Sequence, residues 1–430
     1  MKRLFLLLAV PAAAALPPQV IRNAEKVRDE GSGPGGGLAV VQSLTDGVGP
    51  RLAGSEGSRA AEKWALAELG ELGFENVHAE NLMEPHWVRG EENGEIVSPV
   101  RQKLVLTALG GSSPTPPGGL EGPVVMVENL SALHDLLRQK PGAVRGSIVF
   151  FRQRMERRRD GAGYGAAVPI RYSGPFEAAR AGAAGVLIRT VGTSGNRLPH
   201  TGAMKVEGGT RTLPAAALSG PDADLLERLA GRGAVRVRYV LGCRTLPDQK
   251  AANIVGDLRG SKSPEEVVLL GAHLDSWDLG TGAIDDGAGI GIVIEAALRI
   301  AALPRRPART LRVVLFANEE NGERGALAYA KAHESEAAKY VAALEMDLGT
   351  DRVYKRSWLA GPEGSGSLDE IAGLLKPLGI AETASETDGG SDVGPLRAFG
   401  VPLIELNQDA SRYFDIHHSA DDTFDKIDAA

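Results

Sequence analysis

The stretch at residues 271–291, GAHLDSWDLGTGAIDDGAGIG, constrains this chain more than any other. It sets one histidine, four aspartates and six glycines between an apolar run at 267–270 and a longer apolar run at 292–300. The first run has the length of a buried strand and the second that of a helix. A polar, glycine-loosened junction between strand and helix is where open α/β sheets place their chemistry.

The 430 residues, 43% of them hydrophobic, exceed the usual size of one domain, so two domains are expected. The net charge of -7 and a pI near 5.7, without a long Lys/Arg tract, argue against a nucleic-acid partner. The short basic run Arg157, Arg158, Arg159 reads as a solvated loop. With 55 glycines the chain has nearly twice the usual ~7%, which favours turns and close backbone approaches. The start, MKRLFLLLAVPAAAALPP, has the basic, apolar and small-residue order of a secretory signal over residues 1–18, with a buried strand as the bland alternative. It is too short for a membrane span. A secreted or periplasmic chain without a membrane partner is expected. Cys243 stands alone, so no intrachain disulfide can form.

Along the chain the spacing predicts helices at 19–30 and 38–44. A Gly/Pro loop, DGVGPRLAGSEGS, then leads to Ser55 or Ser58 as N-cap of a helix that Gly73 ends. Residues 100–109 alternate as a strand. From 119 onward, short apolar runs (GLEGPVVMVE, GSIVFFR, AAGVLIRT, LPAAALS, VRVRYVL) are separated by Gly/Pro turns, with helices at 130–139, 176–183 and 222–230. This texture predicts an α+β or β-rich insertion over 113–245. Beyond it, strands at 253–257, 267–270, 311–317, 342–346 and 402–406 alternate with helices at 288–302, 326–332 and 367–378. The expected fold class is α/β, a mostly parallel central sheet with helices on both faces, built from 19–112 and 246–430.

Candidate chemistry lies at the ends of those strands. His273 and Asp275 follow one strand, Glu319 and Glu320 another, and Asp347 a third. Asp285 and Asp286 precede a helix, and His417 and His418 lie beyond the last strand. Each group alone reads as a turn, a cap or a surface pair. Together they converge on one crevice, and so many acids in one crevice need a cation to be tolerable. Mixed imidazole and carboxylate donors fit Zn2+, with Mn2+ or Co2+ as substitutes. Five donors exceed the needs of one catalytic zinc. Two ions sharing a carboxylate use them economically.

The motifs GAHLDSWDLGTGAIDDGAG, FANEENGERGA, EMDLGT and HHSADDT, supported by GPRLAGSEGSRAAEKW, resemble those of the M28 zinc metallopeptidases, in particular the plasma glutamate carboxypeptidase group. The segment 113–245 resembles the protease-associated (PA) domain through RGSIVFF and EAARAGAAGVLI. The resemblance implies a zinc exopeptidase fold with two Zn2+ per chain: His273 and Asp347 on one, Glu320 and His418 on the other, Asp285 bridging. It implies Glu319 as general acid/base toward a zinc-bridging hydroxide, with Asp275 and Asp286 supporting the ligands. His418 is chosen over His417 because it begins the HSxxDT run. Val393 stands where many members carry histidine, which leaves Ser391 and Asp392 as candidates for the substrate pocket, with Tyr413 lining the cleft. Tyr172 and His200 read as either substrate contacts or loop structure.

The implied substrate is a short peptide, cut by a dipeptidase or by an aminopeptidase acting on longer N-free peptides, and a homodimer is an option. A one-zinc enzyme like glutaminyl cyclase and a non-catalytic binding member of the same fold are the rivals. A serine hydrolase finds no GxSxG here.

Overall fold

A computed structural model describes residues 16–30, 35–207, 212–359, 365–380 and 387–428. Most of the expected signal segment therefore lies outside the described residues. Among them, no helix is long and apolar enough to cross a membrane.

One sheet carries seven strands in the order Glu75–Val88, Arg244–Leu258, Arg309–Phe316, Ser263–His273, Tyr340–Glu345, Leu403–Gln408, Val353–Leu359. The middle four run parallel and the outer pairings are antiparallel. The sheet is therefore mixed and not mostly parallel. The expected pattern missed the long strand Glu75–Val88 and the strand Val353–Leu359, because both are edge strands with half-exposed, polar sequences. The central strands show why periodicity works where both faces are buried. Leu311, Val313 and Leu315 face one apolar cluster with Ile290, Val293 and Ala297 of the helix Ala288–Ala301, while Val314 and Phe316 face another with Ala326 and Tyr329 of the helix Arg324–Ala332. In register, His273 stands opposite Phe316 and Gly271 opposite Glu345, which brings the chemistry-bearing strand ends to one edge. Helix Ala288–Ala301 starts hard against that edge. A Cβ on Gly289 would lie 2.0 Å from the Met346 carbonyl.

The second sheet carries eight strands and is entered after Val88 and left before Arg244, between the two members of a long antiparallel ribbon. Five of these strands, Leu120–Val127, Ile148–Phe151, Gly185–Arg189, Ala215–Leu218 and Arg236–Leu241, sit where the short apolar runs are. The single strand expected at 100–109 is two, Gln102–Leu104 and Leu106–Ala108, at opposite edges of this sheet. Between them the Val105 amide donates to Asp222 instead of a neighbouring strand, at 2.9 Å. Ser55, not Ser58, caps the helix Glu56–Glu71, accepting from the Ser58 amide at 3.1 Å.

Arg89, at the crossing from one sheet to the other, ties them together. It makes a two-pronged ion pair with Asp278 (2.8 and 2.7 Å), pairs with Glu92 at 2.8 Å and donates to the Ala108 carbonyl at 2.9 Å. Asp278, without an expected role, is thus the latch that joins the loop after His273 to the second sheet. Arg89→Met leaves the part-buried Asp278 and Glu92 without their cation, at a cost of about 1–3 kcal/mol. Urea denaturation should show the lower midpoint; an unshifted midpoint would refute the latch.

Candidate metal centre

The loop between the strand Ser263–His273 and the helix Ala288–Ala301 is held by a residue far upstream. Arg51, fully buried, donates to the carbonyls of Leu274 (2.7 Å), Gly49 (3.2 Å), Thr281 (2.6 Å) and Gly282 (3.0 Å), and its amide donates to Ser276 Oγ at 3.1 Å. A planar fork with five donors can bind both ends of a loop at once. Asp422 completes the frame by accepting from the amides of Ile284 (2.6 Å) and Asp285 (3.3 Å). Burial first, then the nearby Asp285 carboxylate, pushes its carboxyl up to about 7. Sequence reasoning missed both roles, although Arg51 lies in the GPRLAGSEG motif and Asp422 in HHSADDT. Their hydrogen bonds go to distant main chain, which no local pattern encodes.

On this frame the expected residues come together. His273 Nε2 lies 3.1 Å from Asp285 Oδ1 and 3.4 Å from Asp347 Oδ1. His418 Nε2 lies 3.2 Å from Asp285 Oδ2 and 2.8 Å from Glu320 Oε2. Asp285 thus faces both groups, one oxygen to each. It sits in the turn Ala283–Gly287, with non-helical backbone, rather than in the first turn of the helix. Burial alone would raise its carboxyl, but the hydrogen-bonded imidazoles of His273 and His418 outweigh it and hold the group well below the usual range. For Glu320, burial dominates and lifts the carboxyl to about 7.

The supporting residues divide the work differently from expectation. Asp286 accepts from the amides of His273 and Gly289, both at 3.0 Å, locking strand end to helix start. His273 Nδ1 faces the main-chain carbonyl of Asp275 at 3.0 Å, while the Asp275 carboxylate, 3.7 Å from that nitrogen, accepts from the amides of Glu319 (3.0 Å) and Glu320 (3.3 Å). Asp275 therefore orients the adjacent glutamates more directly than the imidazole. Trp277, within the opening motif, donates its indole N–H to Glu320 Oε2 at 2.6 Å, a role not foreseen.

His417 stacks on His418, ring centroids 3.5 Å apart, and its Nε2 is 3.8 Å from Asp285 Oδ2. Two three-residue groups have donor atoms within 4.8 Å of one another: His273, Asp285, Asp347, and Asp285, His417, His418. Distance favours Glu320 over His417 as the companion of His418, and aromatic packing by Tyr164, Tyr413 and Phe414 explains why His417 is where it is. Tyr413 is buried against this cluster, with Asp285, Asp347 and Glu320 among its charged neighbours.

Of the pocket candidates, Asp392 is buried with Oδ1 unpartnered, its amide donating to Glu345 at 2.7 Å. Burial, then the neighbouring carboxylates of Glu345 and Glu319, pushes its own carboxyl well up. Ser391 beside it is half-buried. Val393 is wholly buried in the cluster with Val314 and Phe316, so it packs the core below the site. Tyr172 is 48% exposed and His200 1%. The arginine run is the exposed loop expected, but its side chains are engaged. Arg157 reaches Asp415 at 2.8 and 2.6 Å, and Arg159 pairs with Asp409 at 2.9 Å and lies 4.0 Å over the Tyr354 ring.

A metal fits these residues on their own chemistry. Glu320 Oε1 is buried without a hydrogen-bond partner among the described residues, and the buried Asp285 Oδ2 and Asp347 Oδ1 face imidazole nitrogens at 3.2 and 3.4 Å. Unpaired buried carboxylate oxygens are costly, and a divalent cation offsets that cost.

Residues 253–430 match Peptidase family M28. Carboxypeptidase Q of Mus musculus is 37% identical over 386 residues, 90% of this chain and 80% of the relative. That of Homo sapiens is 36% identical over 90% of this chain and 79% of its own. A crystal structure of a peptidase M28 precursor from Shewanella amazonensis SB2B matches with TM-score 0.91 and 42% identity, over 96% of this chain and 92% of that one. A zinc aminopeptidase from Bacillus subtilis shares the fold at TM-score 0.64 and 19% identity, over 91% and 90% of the two chains. The chain belongs to peptidase family M28 and is a metallopeptidase similar to carboxypeptidase Q across nine-tenths of its length.

Proposed function

We propose that this chain is an exported exopeptidase that holds two zinc ions and hydrolyses the peptide bond of dipeptides or other short peptides. His273 and Asp347 hold one ion, Glu320 and His418 the other, and Asp285 is shared. Mn2+ or Co2+ suits the same donors. The observation that carries this reading is the division of Asp285, one oxygen 3.1 Å from His273 and the other 3.2 Å from His418. The signal-like start supports export. The eight-stranded unit is read as a PA domain, supported by the adjacency of its parallel strands Ile148–Phe151 and Gly185–Arg189, which come from the two motifs that resemble one.

When bound, the ions supply Lewis acidity to a water and to the scissile carbonyl. Glu319 supplies the proton traffic. Its amide is anchored on Asp275, and burial, opposed by His273 but helped by the carboxylates of Asp347, Glu320 and Asp275, raises its carboxyl well above the ordinary range. A carboxyl so raised is suited to take a proton from the attacking water and return it to the leaving amine. Asp275 holds the backbone of the Glu319–Glu320 pair, and Trp277 holds the Glu320 carboxylate.

Three measurements test the reading. Glu319→Gln should keep its zinc yet lose about 10²- to 10⁴-fold in kcat, the usual range for a general base; near-normal turnover would remove Glu319 from that role. Asp285→Ala should lose metal at both positions by elemental analysis, and an unchanged stoichiometry would refute sharing. Free and N-blocked dipeptides and tripeptides, assayed with and without chelator, decide the substrate. Cleavage confined to dipeptides assigns a dipeptidase, cleavage of longer N-free peptides an aminopeptidase, and chelator-resistant activity overturns the metal reading.

A further inference from the structure

His418 reaches the centre on backbone that resists being there. Its φ of +59° lies in the left-handed region, which a residue with a Cβ disfavours, and such a conformation persists only where its surroundings over-determine it. Neighbours within its own loop supply part of that restraint: the Ser419 amide bonds Ile416, and the His417 amide bonds Tyr413. The carbonyls of the histidine pair are held from elsewhere. The Thr201 amide donates to the His418 carbonyl at 2.9 Å, and His200 Nδ1 lies 2.5 Å from the His417 carbonyl. Both donors belong to the eight-stranded unit, on the segment between the strands Gly185–Arg189 and Ala215–Leu218.

A carbonyl only accepts, so Nδ1 of His200 carries the proton and donates. The His200 ring is itself fixed. Its amide donates to Thr190 Oγ1 at 2.6 Å, and a Cβ on Gly192 would come within 2.6 Å of it. Arg171 closes the other side, with Nη1 3.5 Å from the Thr201 carbonyl and 3.4 Å from His418 Nδ1, and Nη2 donating to Tyr164 at 2.7 Å. A Cβ on Gly202, where φ is +135°, would lie 2.3 Å from that guanidinium. His200 and Thr201 are buried, and the His200 ring and the Thr201 amide bond main chain of the loop that bears His417 and His418.

We infer that His200 is a positioning residue for His418: its ring N–H on the His417 carbonyl, with the Thr201 amide on the His418 carbonyl, aims His418 Nε2 at Glu320 and Asp285. The inserted unit thereby completes one half of the metal centre. This rests on the two-metal reading above.

The test is a zinc titration of the full metal-free chain against a competing chelator, with the thermal unfolding midpoint of the metal-free chain recorded alongside. Wild type should take up two ions. His200→Ala should bind one as wild type does and the second about 10- to 100-fold more weakly, the range for losing a group that orients a ligand. Its kcat should recover at high zinc, and its metal-free midpoint should stay near that of wild type. His200→Asn, whose side-chain amide can still donate to the His417 carbonyl, should restore the second affinity to within a few-fold. The inference is overturned if His200→Ala binds both ions normally, weakens both equally, or fails to fold, and equally if His200→Asn weakens the second ion as much as His200→Ala. A wild-type chain that binds fewer than two ions would instead overturn the two-metal reading, whatever the variants do.

Discussion

Negative charge gathered in a buried crevice is the constraint on which this structure depends. Asp285, Asp286, Glu320 and Asp392 are buried, with Glu319 and Asp347 half-buried beside them, and His273 and His418 sit among them as the nearest imidazole partners, with His417 a little farther from Asp285. Left unpaired, such groups would take up protons or open the site to water. The carboxyls of Glu320 and Asp422, each pushed up to about 7 chiefly by burial, reflect that tension. Carboxylates that another residue needs as anchors are spent on backbone amides: Asp286 on His273 and Gly289, Asp275 on Glu319 and Glu320, Asp422 on Ile284 and Asp285. Glu320 Oε1, on a proposed ligand, and Asp392 Oδ1 are left without a donor among the described residues, while Asp285 Oδ2 and Asp347 Oδ1 face imidazole nitrogens.

Arginines carry the compensation outward. Arg51 binds three carbonyls of the loop, Arg89 latches Asp278 to the second sheet, and Arg157 and Arg159 fasten the other end of that unit to Asp415 and Asp409, just before the histidine pair. The loop that bears Asp285 and the loop that bears His418 are thus each tied to both sheets or to a residue far upstream. A site built from four strand ends keeps its geometry because those ties resist the repulsion among its acids.

Much of this was legible in the residues. The buried central strands carry uninterrupted apolar runs at 267–270 and 313–317 because both faces are covered, and the polar residues shortly after them mark the crevice. Edge strands were not legible. Glu75–Val88 and Val353–Leu359 are half-exposed, so their side chains carry no clear period, and the sheet accordingly looked more parallel than it is. Asp278 and the arginine run Arg157 to Arg159 looked idle for a related reason: an ion pair spanning 189 or 258 residues of chain leaves no trace in either local sequence.

The sequence by itself determined the α/β class, the order of the chemistry-bearing groups along the chain and the family, because strand-end acids and imidazoles recur in ordered motifs that local patterning exposes. Tertiary structure alone decided that Asp285 turns one oxygen to each imidazole, that Asp275 serves the Glu319–Glu320 amides, and that Arg51, Asp422, Trp277 and His200 belong to the site. The physical reason is common to all of them. Each acts through hydrogen bonds to groups distant in sequence, and those distances are set by how strands, helices and the inserted sheet pack, not by any residue's neighbours in the chain.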